Sequence, residues 1–142
     1  MSTSQALRAL WIAVAVQLAG QLVDLRWHLT HDEFEGTSQQ LEAHWLIWLG
    51  VLATVAVAAW AALGHERLTG HPGYVLTLAA GLLYVPVSVW HFIAHANGDD
   101  PGLAHVLIGI GKVGMVVGAV LATVLVHRAR RAPVNTIRTD GA

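Results

Sequence analysis

Four long apolar segments separated by short polar stretches make up most of this chain. They cover roughly residues 7–30, 43–63, 73–95 and 103–127. Each has about 20 residues or more, which is enough for a helix to cross the ~30 Å hydrocarbon layer of a bilayer. Only 12% of the 142 residues are charged, against about 25% in a soluble domain. The sequence therefore predicts an all-α integral membrane protein, with a bundle of four transmembrane helices within residues 1–132 and a flexible cytoplasmic tail at 133–142.

The distribution of arginine predicts how this bundle lies in the membrane. Arg8, Arg67 and the arginines of the tail fall on one side, whereas the stretches 31–42 and 97–101 on the other side are acidic. Positive residues accumulate on the cytoplasmic side of membrane proteins. We therefore expect a multi-pass protein of the cell membrane with both termini in the cytoplasm.

Histidines gather at the opposite, extracytoplasmic level of the predicted bundle. Six of the nine lie near the outer ends of the helices: His28, His31, His44, His91, His95 and His105. Imidazole is the commonest transition-metal ligand, and the chain has no cysteine that could supply thiolate. This cluster predicts one crowded metal site or two adjacent ones, although a single interfacial histidine is more often bonded to a carbonyl or a lipid headgroup. Nitrogen and oxygen ligands favour copper(II), zinc or iron(II).

The two halves of the chain share a pattern of histidines. Each half has a Trp-His pair near the end of its first helix, Trp27-His28 and Trp90-His91, then a second histidine and a third that opens the return helix. The pattern predicts a duplicated helical hairpin.

Polar residues follow the histidines at helical spacing. The two stripes are Gln17, Gln21, Asp24, His28 and His31 in the first helix and Tyr84, Ser88, His91 and His95 in the third. Such stripes face the interior of a membrane bundle. We therefore predict that Asp24 is a further ligand and that Gln21, Ser88 and Tyr84 support the ligands by hydrogen bonding.

Lys112 lies near the middle of the fourth helix, where an ammonium group needs a partner. The sequence predicts an ion pair between Asp24 and Lys112, with Gln21 nearby, beneath the histidines. Lys112 would then support the metal site, and Asp24 would either coordinate the metal or be held by Lys112.

Asp24-x3-His28, followed by His44 on the next helix, resembles a metal site in the C subunit of copper-dependent membrane monooxygenases, the particulate methane and ammonia monooxygenases. The chain is also similar to small histidine-rich four-helix membrane proteins of bacteria. The first resemblance covers residues 24–44 and implies copper bound by these three side chains. The spacing to His44 is longer than in that family, and the three histidines of the second half fall outside its motif.

Three functions are compatible with these residues. The first is a metal-dependent membrane oxidoreductase acting on a small or lipophilic substrate, with copper favoured over zinc and iron. The second is electron transfer by a b-type haem with His28 and His91 as axial ligands. The third is a non-catalytic metal carrier, sensor or accessory subunit, acting as a homo-oligomer or within a larger membrane complex. No basic tract indicates binding to nucleic acid.

Overall fold

The computed structural model describes residues 2–30, 37–64, 69–99 and 101–132, including all side chains in these ranges except those of 37–43. The described part of the chain is helical and contains no strand. Its four helices are α1 (Thr3–Thr30), α2 (Thr37–Gly64), α3 (His71–Ala96) and α4 (Gly102–Arg131). Each helix is long and apolar enough to cross a membrane. The prediction of an all-α protein with four such helices is confirmed.

All four helices extend further than the apolar segments that predicted them, and α2 and α4 are clear examples. α2 begins at Thr37 rather than near residue 43, and α4 continues to Arg131 rather than ending near residue 127. The added residues include glutamine, glutamate, leucine, alanine and arginine, which favour a helix without being apolar enough to mark a membrane segment. α4 ends where Ala132 adopts an extended conformation, as is usual for a residue that precedes a proline.

The four helices form an up-and-down bundle with antiparallel neighbours. α1 packs along α2, α2 along α3 and α3 along α4, whereas α1 meets α4 along a shorter contact. That shorter contact includes the Trp11 Nε1–H group, which donates a 2.8 Å hydrogen bond to Thr123 Oγ1. We call the end at which α1 and α3 finish the histidine end, and the opposite end the termini end.

Glycines allow the helices within each pair to approach closely. A Cβ atom added to Gly73 or Gly118 would overlap Ala122 or Thr77 across the α3–α4 interface. The same holds for Gly20 of α1, which packs on the backbone of α2. Small residues at such interfaces are typical of membrane helices.

The core is densest toward the termini end. Eight fully or almost fully buried residues pack together there: Ala6, Leu10, Val14, Ala61, Ala62, Tyr74, Ala119 and Ala122. Large apolar side chains remain exposed on the outside of the bundle, among them Leu22, Leu29 and Val113. An apolar exterior over so much of the surface indicates contact with lipid rather than with water.

Candidate metal centre

A cavity of about 350 Å³ opens among the four helices at the histidine end. Its polar lining includes five of the six predicted histidines together with Asp24; the histidines are His28, His44, His91, His95 and His105. The apolar part of the wall comes from Trp48, Phe92 and Ile108. Residues from all four helices therefore converge on one space.

The first hairpin contributes three of these groups, which we call the carboxylate triad: Asp24, His28 and His44. Asp24 and His28 are four residues apart on α1 and so lie on one face of the helix. His44 reaches them from α2. Asp24 Oδ1 lies 3.5 Å from His28 Nε2 and 3.3 Å from His44 Nε2.

Asp24 Oδ1 is buried and has no hydrogen-bond partner in the described part of the chain. Its contacts with the two imidazoles are ion pairs only if those rings are protonated. A buried carboxylate oxygen without a donor is energetically costly. Two ligand atoms of a tetrahedral ion bound at about 2.0–2.1 Å are about 3.3 Å apart. The spacing and the donor set of this triad therefore fit a shared metal ion.

The second hairpin contributes the histidine triad: His91, His95 and His105. His91 and His95 are four residues apart on α3, and His105 lies in the first turn of α4. His91 Nε2 lies 2.8 Å from His105 Nε2 and 3.0 Å from His95 Nε2. Three imidazole nitrogens therefore lie close together.

Hydrogen bonding accounts for this convergence less well than metal coordination does. In a neutral imidazole, Nε2 carries either one proton or one lone pair. His91 Nε2 must therefore share that single proton or lone pair between two neighbouring nitrogens. Three lone pairs can instead be directed at one ion. Ligand atoms that subtend 90° at an ion bound at about 2.0–2.1 Å are about 2.9 Å apart. The three residues fit a metal ion without rearrangement of their helices.

Lys112 bonds to Gln21 rather than to Asp24. Its Nζ donates a 2.7 Å hydrogen bond to Gln21 Oε1, and the ion-pair contacts of Asp24 within the described residues are those to the two histidines. The predicted Asp24–Lys112 ion pair is therefore not formed. The contact between Trp11 and Thr123 sets a register of α1 against α4 in which Lys112 lies opposite residue 22, next to Gln21 and two residues from Asp24.

Tyr84 and Ser88 line the same cavity from α3. Tyr84 is buried and meets the ring of Trp48 edge to face, at 6.3 Å between ring centroids. Ser88 Oγ is buried and has no hydrogen-bond partner among the described residues. Both are placed where they can support the ligands, and that role stays a prediction.

The remaining histidines lie elsewhere. The ring of His71 bonds to the carbonyl of Ala62 at 3.0 Å, near the termini end, and His127 is exposed on the last turns of α4. His31 and His65 lie outside the described residues.

The Trp-His pattern equates His28 with His91 and pairs each with the next histidine along its helix. The pair of His91 and His95 is found, whereas His31, the partner of His28 in that pattern, lies outside the described residues. In the structure each triad consists of two residues at i and i+4 and one histidine from the return helix, so Asp24 corresponds to His91 and His28 to His95. The i, i+4 spacing was visible in both halves and was the better signal. The apolar wall was missed, although Trp48 lies one helical turn after His44.

No family model matches this chain, and no curated protein or solved structure matches it either. The resemblance to the copper monooxygenases stays a prediction, and function is argued from the site.

Proposed function

We propose that this chain is a multi-pass membrane protein that binds a transition metal, with copper favoured, at the histidine end of its helical bundle. One observation carries the proposal: five imidazoles and one carboxylate converge on a single cavity in a bundle of four apolar helices. An interfacial role for individual histidines does not account for three ring nitrogens so close together.

The donor set supports copper. Both triads offer only nitrogen and oxygen, and copper(II) binds most tightly among the divalent first-row metals to such sites. The resemblance of Asp24, His28 and His44 to the copper site of membrane monooxygenases points the same way. Zinc and iron(II) accept the same ligands and are the alternatives.

The arginines support an extracytoplasmic position for the centre. Arg8 and Arg128 lie at the termini end, which the positive-inside rule places in the cytoplasm. The histidine end would then face outward, where Asp99 and its acidic neighbours attract cations.

The activity class that we propose for such a centre is metal-dependent oxidation of a small or lipophilic substrate. Each triad supplies three ligand atoms, and a catalytic metal site typically has three protein ligands and an open position. The wall of Trp48, Phe92 and Ile108 offers an apolar surface for such a substrate.

A metal carrier, sensor or accessory subunit is the second candidate. It is favoured by the accessibility of the ligands, because the side chain of His28 is 46% exposed and His105 is also exposed. Ions held by exposed ligands can be exchanged with a partner. Haem is less favoured, since the Nε2 atoms of His28 and His91 are each engaged within a triad.

Elemental analysis and an absorption spectrum of the detergent-purified protein test the proposal. We expect copper to co-purify or to bind after reconstitution, and His91→Ala to weaken its binding. A Soret band would instead identify a haem protein. Absence of any bound metal, with no change in metal affinity upon His91→Ala, would contradict the proposed function.

A further inference from the structure

We propose that the centre holds two separate metal ions, one in each helical hairpin, with different ligands and a shared cavity. This inference rests on the proposed function, since it assigns the ligands of the same centre. The carboxylate triad holds one ion by two nitrogens and one oxygen, and the histidine triad holds the other by three nitrogens.

The distances divide the ligands into two sets. Two ligand atoms of one ion can be at most about 4.2 Å apart, because each lies about 2.0–2.1 Å from the metal. Two separations within the carboxylate triad are 3.3 and 3.5 Å, and two within the histidine triad are 2.8 and 3.0 Å. In each triad all three ligand atoms lie within 4.8 Å of one another. The six atoms form two compact groups rather than one.

The chain order divides the ligands in the same way. The carboxylate triad comes only from α1 and α2, and the histidine triad only from α3 and α4. Each hairpin uses one design, with two ligands one turn apart near the end of its first helix and a third ligand from the return helix. Each set of three is therefore complete within its own hairpin.

The charge of Asp24 favours cations in this cavity. It reduces the repulsion between two divalent ions in a medium of low dielectric constant. Lys112 also lines the cavity and acts on Asp24 at longer range, but its amine is hydrogen-bonded to Gln21 and makes no ion pair with the carboxylate. The ion-pair contacts of Asp24 within the described residues are those to His28 and His44, the other two groups of its triad.

Because the ligands of the two triads differ, we expect the triads to bind different metals or to bind the same metal with different affinities. Carboxylate oxygen is a harder ligand than imidazole, so the carboxylate triad accepts iron(II) better than the histidine triad does, while copper(II) binds most tightly to both. Both triads line the same cavity, so the two ions would face one shared space.

Metal stoichiometry of the full chain tests this inference. The purified protein is stripped with a chelator and loaded with copper(II), and copper per chain is measured after desalting. We expect two ions in the unchanged protein. The double variant His91→Ala with His105→Ala should keep one copper ion per chain, and so should the double variant Asp24→Asn with His44→Ala. The combination of all four changes should leave no bound copper. His127→Ala, which changes an exposed histidine far from the cavity, should leave two.

A second measurement separates loss of a ligand from loss of the fold. Each variant is examined by circular dichroism, and a variant with reduced helix content is replaced by His105→Gln or His44→Gln alone. One ion per chain, removed by changes in either triad or in only one of them, overturns the inference and leaves the proposed function intact. No ion in the unchanged protein overturns the proposed function itself.

Discussion

Asp24 combines burial, negative charge and two imidazole neighbours in one side chain. Its Oδ1 atom is buried without a hydrogen bond, yet two ring nitrogens lie 3.3 and 3.5 Å away. We expect a residue in this position to destabilise the metal-free fold and, if it coordinates a metal, to strengthen metal binding. We therefore expect its charge to matter more for metal affinity than for folding.

Asp24→Asn tests the role of this charge. The amide is almost isosteric but neutral, so we expect the affinity of the carboxylate triad for copper(II) to fall by about tenfold or more. Competition with a chelator at constant pH measures the change. Asp99→Asn removes a charge from the exposed stretch at the same end and should have little effect. Equal losses for the two variants would show that Asp24 acts only through long-range attraction.

Substitutions of Gln21 and Lys112 test whether the hydrogen bond between them stabilises the fold. Gln21→Leu leaves the half-buried amine without its 2.7 Å acceptor, and we expect the free energy of unfolding to fall by about 1–3 kcal/mol. Lys112→Met removes the charge together with its need for a partner and should cost less. The double variant should be more stable than the sum of the single changes indicates.

Thermal unfolding in detergent, followed by circular dichroism, measures the four members of this cycle. Strictly additive losses would show that the two side chains do not stabilise each other. Copper content should stay unchanged in Lys112→Met, since the amine contacts neither triad in the described structure.

At the level of the helices, hydropathy predicted the four helices because each apolar segment is far longer than a helix of a soluble protein needs to be. It did not predict the start of α2, where polar helix-forming residues continue the helix beyond the apolar segment. It also could not give the register of α1 against α4, which the hydrogen bond between Trp11 and Thr123 reflects, or show that Lys112 bonds to Gln21 rather than to Asp24.

The candidate metal ligands were predictable as residues but not as groups. Histidines at one level of the bundle follow from helix direction and length. Their division into triads depends on which i, i+4 pair faces the return helix, and this is set by close approaches such as Gly20 against Ile47. The internal duplication stays a prediction, now supported by the common design of the two triads.

Glycines at the α3–α4 interface give a prediction for helix packing. Gly118→Ala places a Cβ atom against Thr77, so we expect it to lower the free energy of unfolding by about 1–3 kcal/mol. Gly109→Ala on the same helix meets open space and should be neutral or stabilising by up to about 1 kcal/mol. Thermal unfolding in detergent measures both. Similar effects of the two changes would contradict the packing described here.

For the whole molecule, the main expectation concerns orientation. The chain has no cysteine, so a single introduced thiol can be labelled without background. Asp99→Cys at the histidine end should react with a membrane-impermeant maleimide in intact cells. His127→Cys at the termini end should react only after the membrane is permeabilised. The reverse pattern would place the centre on the cytoplasmic side.

The ligands of each triad are attached to a single pair of helices, α1 and α2 for one triad and α3 and α4 for the other. A small rotation of one hairpin against the other would change the gap between the triads while leaving the geometry inside each of them unaltered. With one ion in each triad, as proposed, the bundle would separate two adjustments that a site built across all four helices would combine. The affinity for each ion would be set within a hairpin, and the width of the space between the ions would be set by the angle at which the hairpins pack.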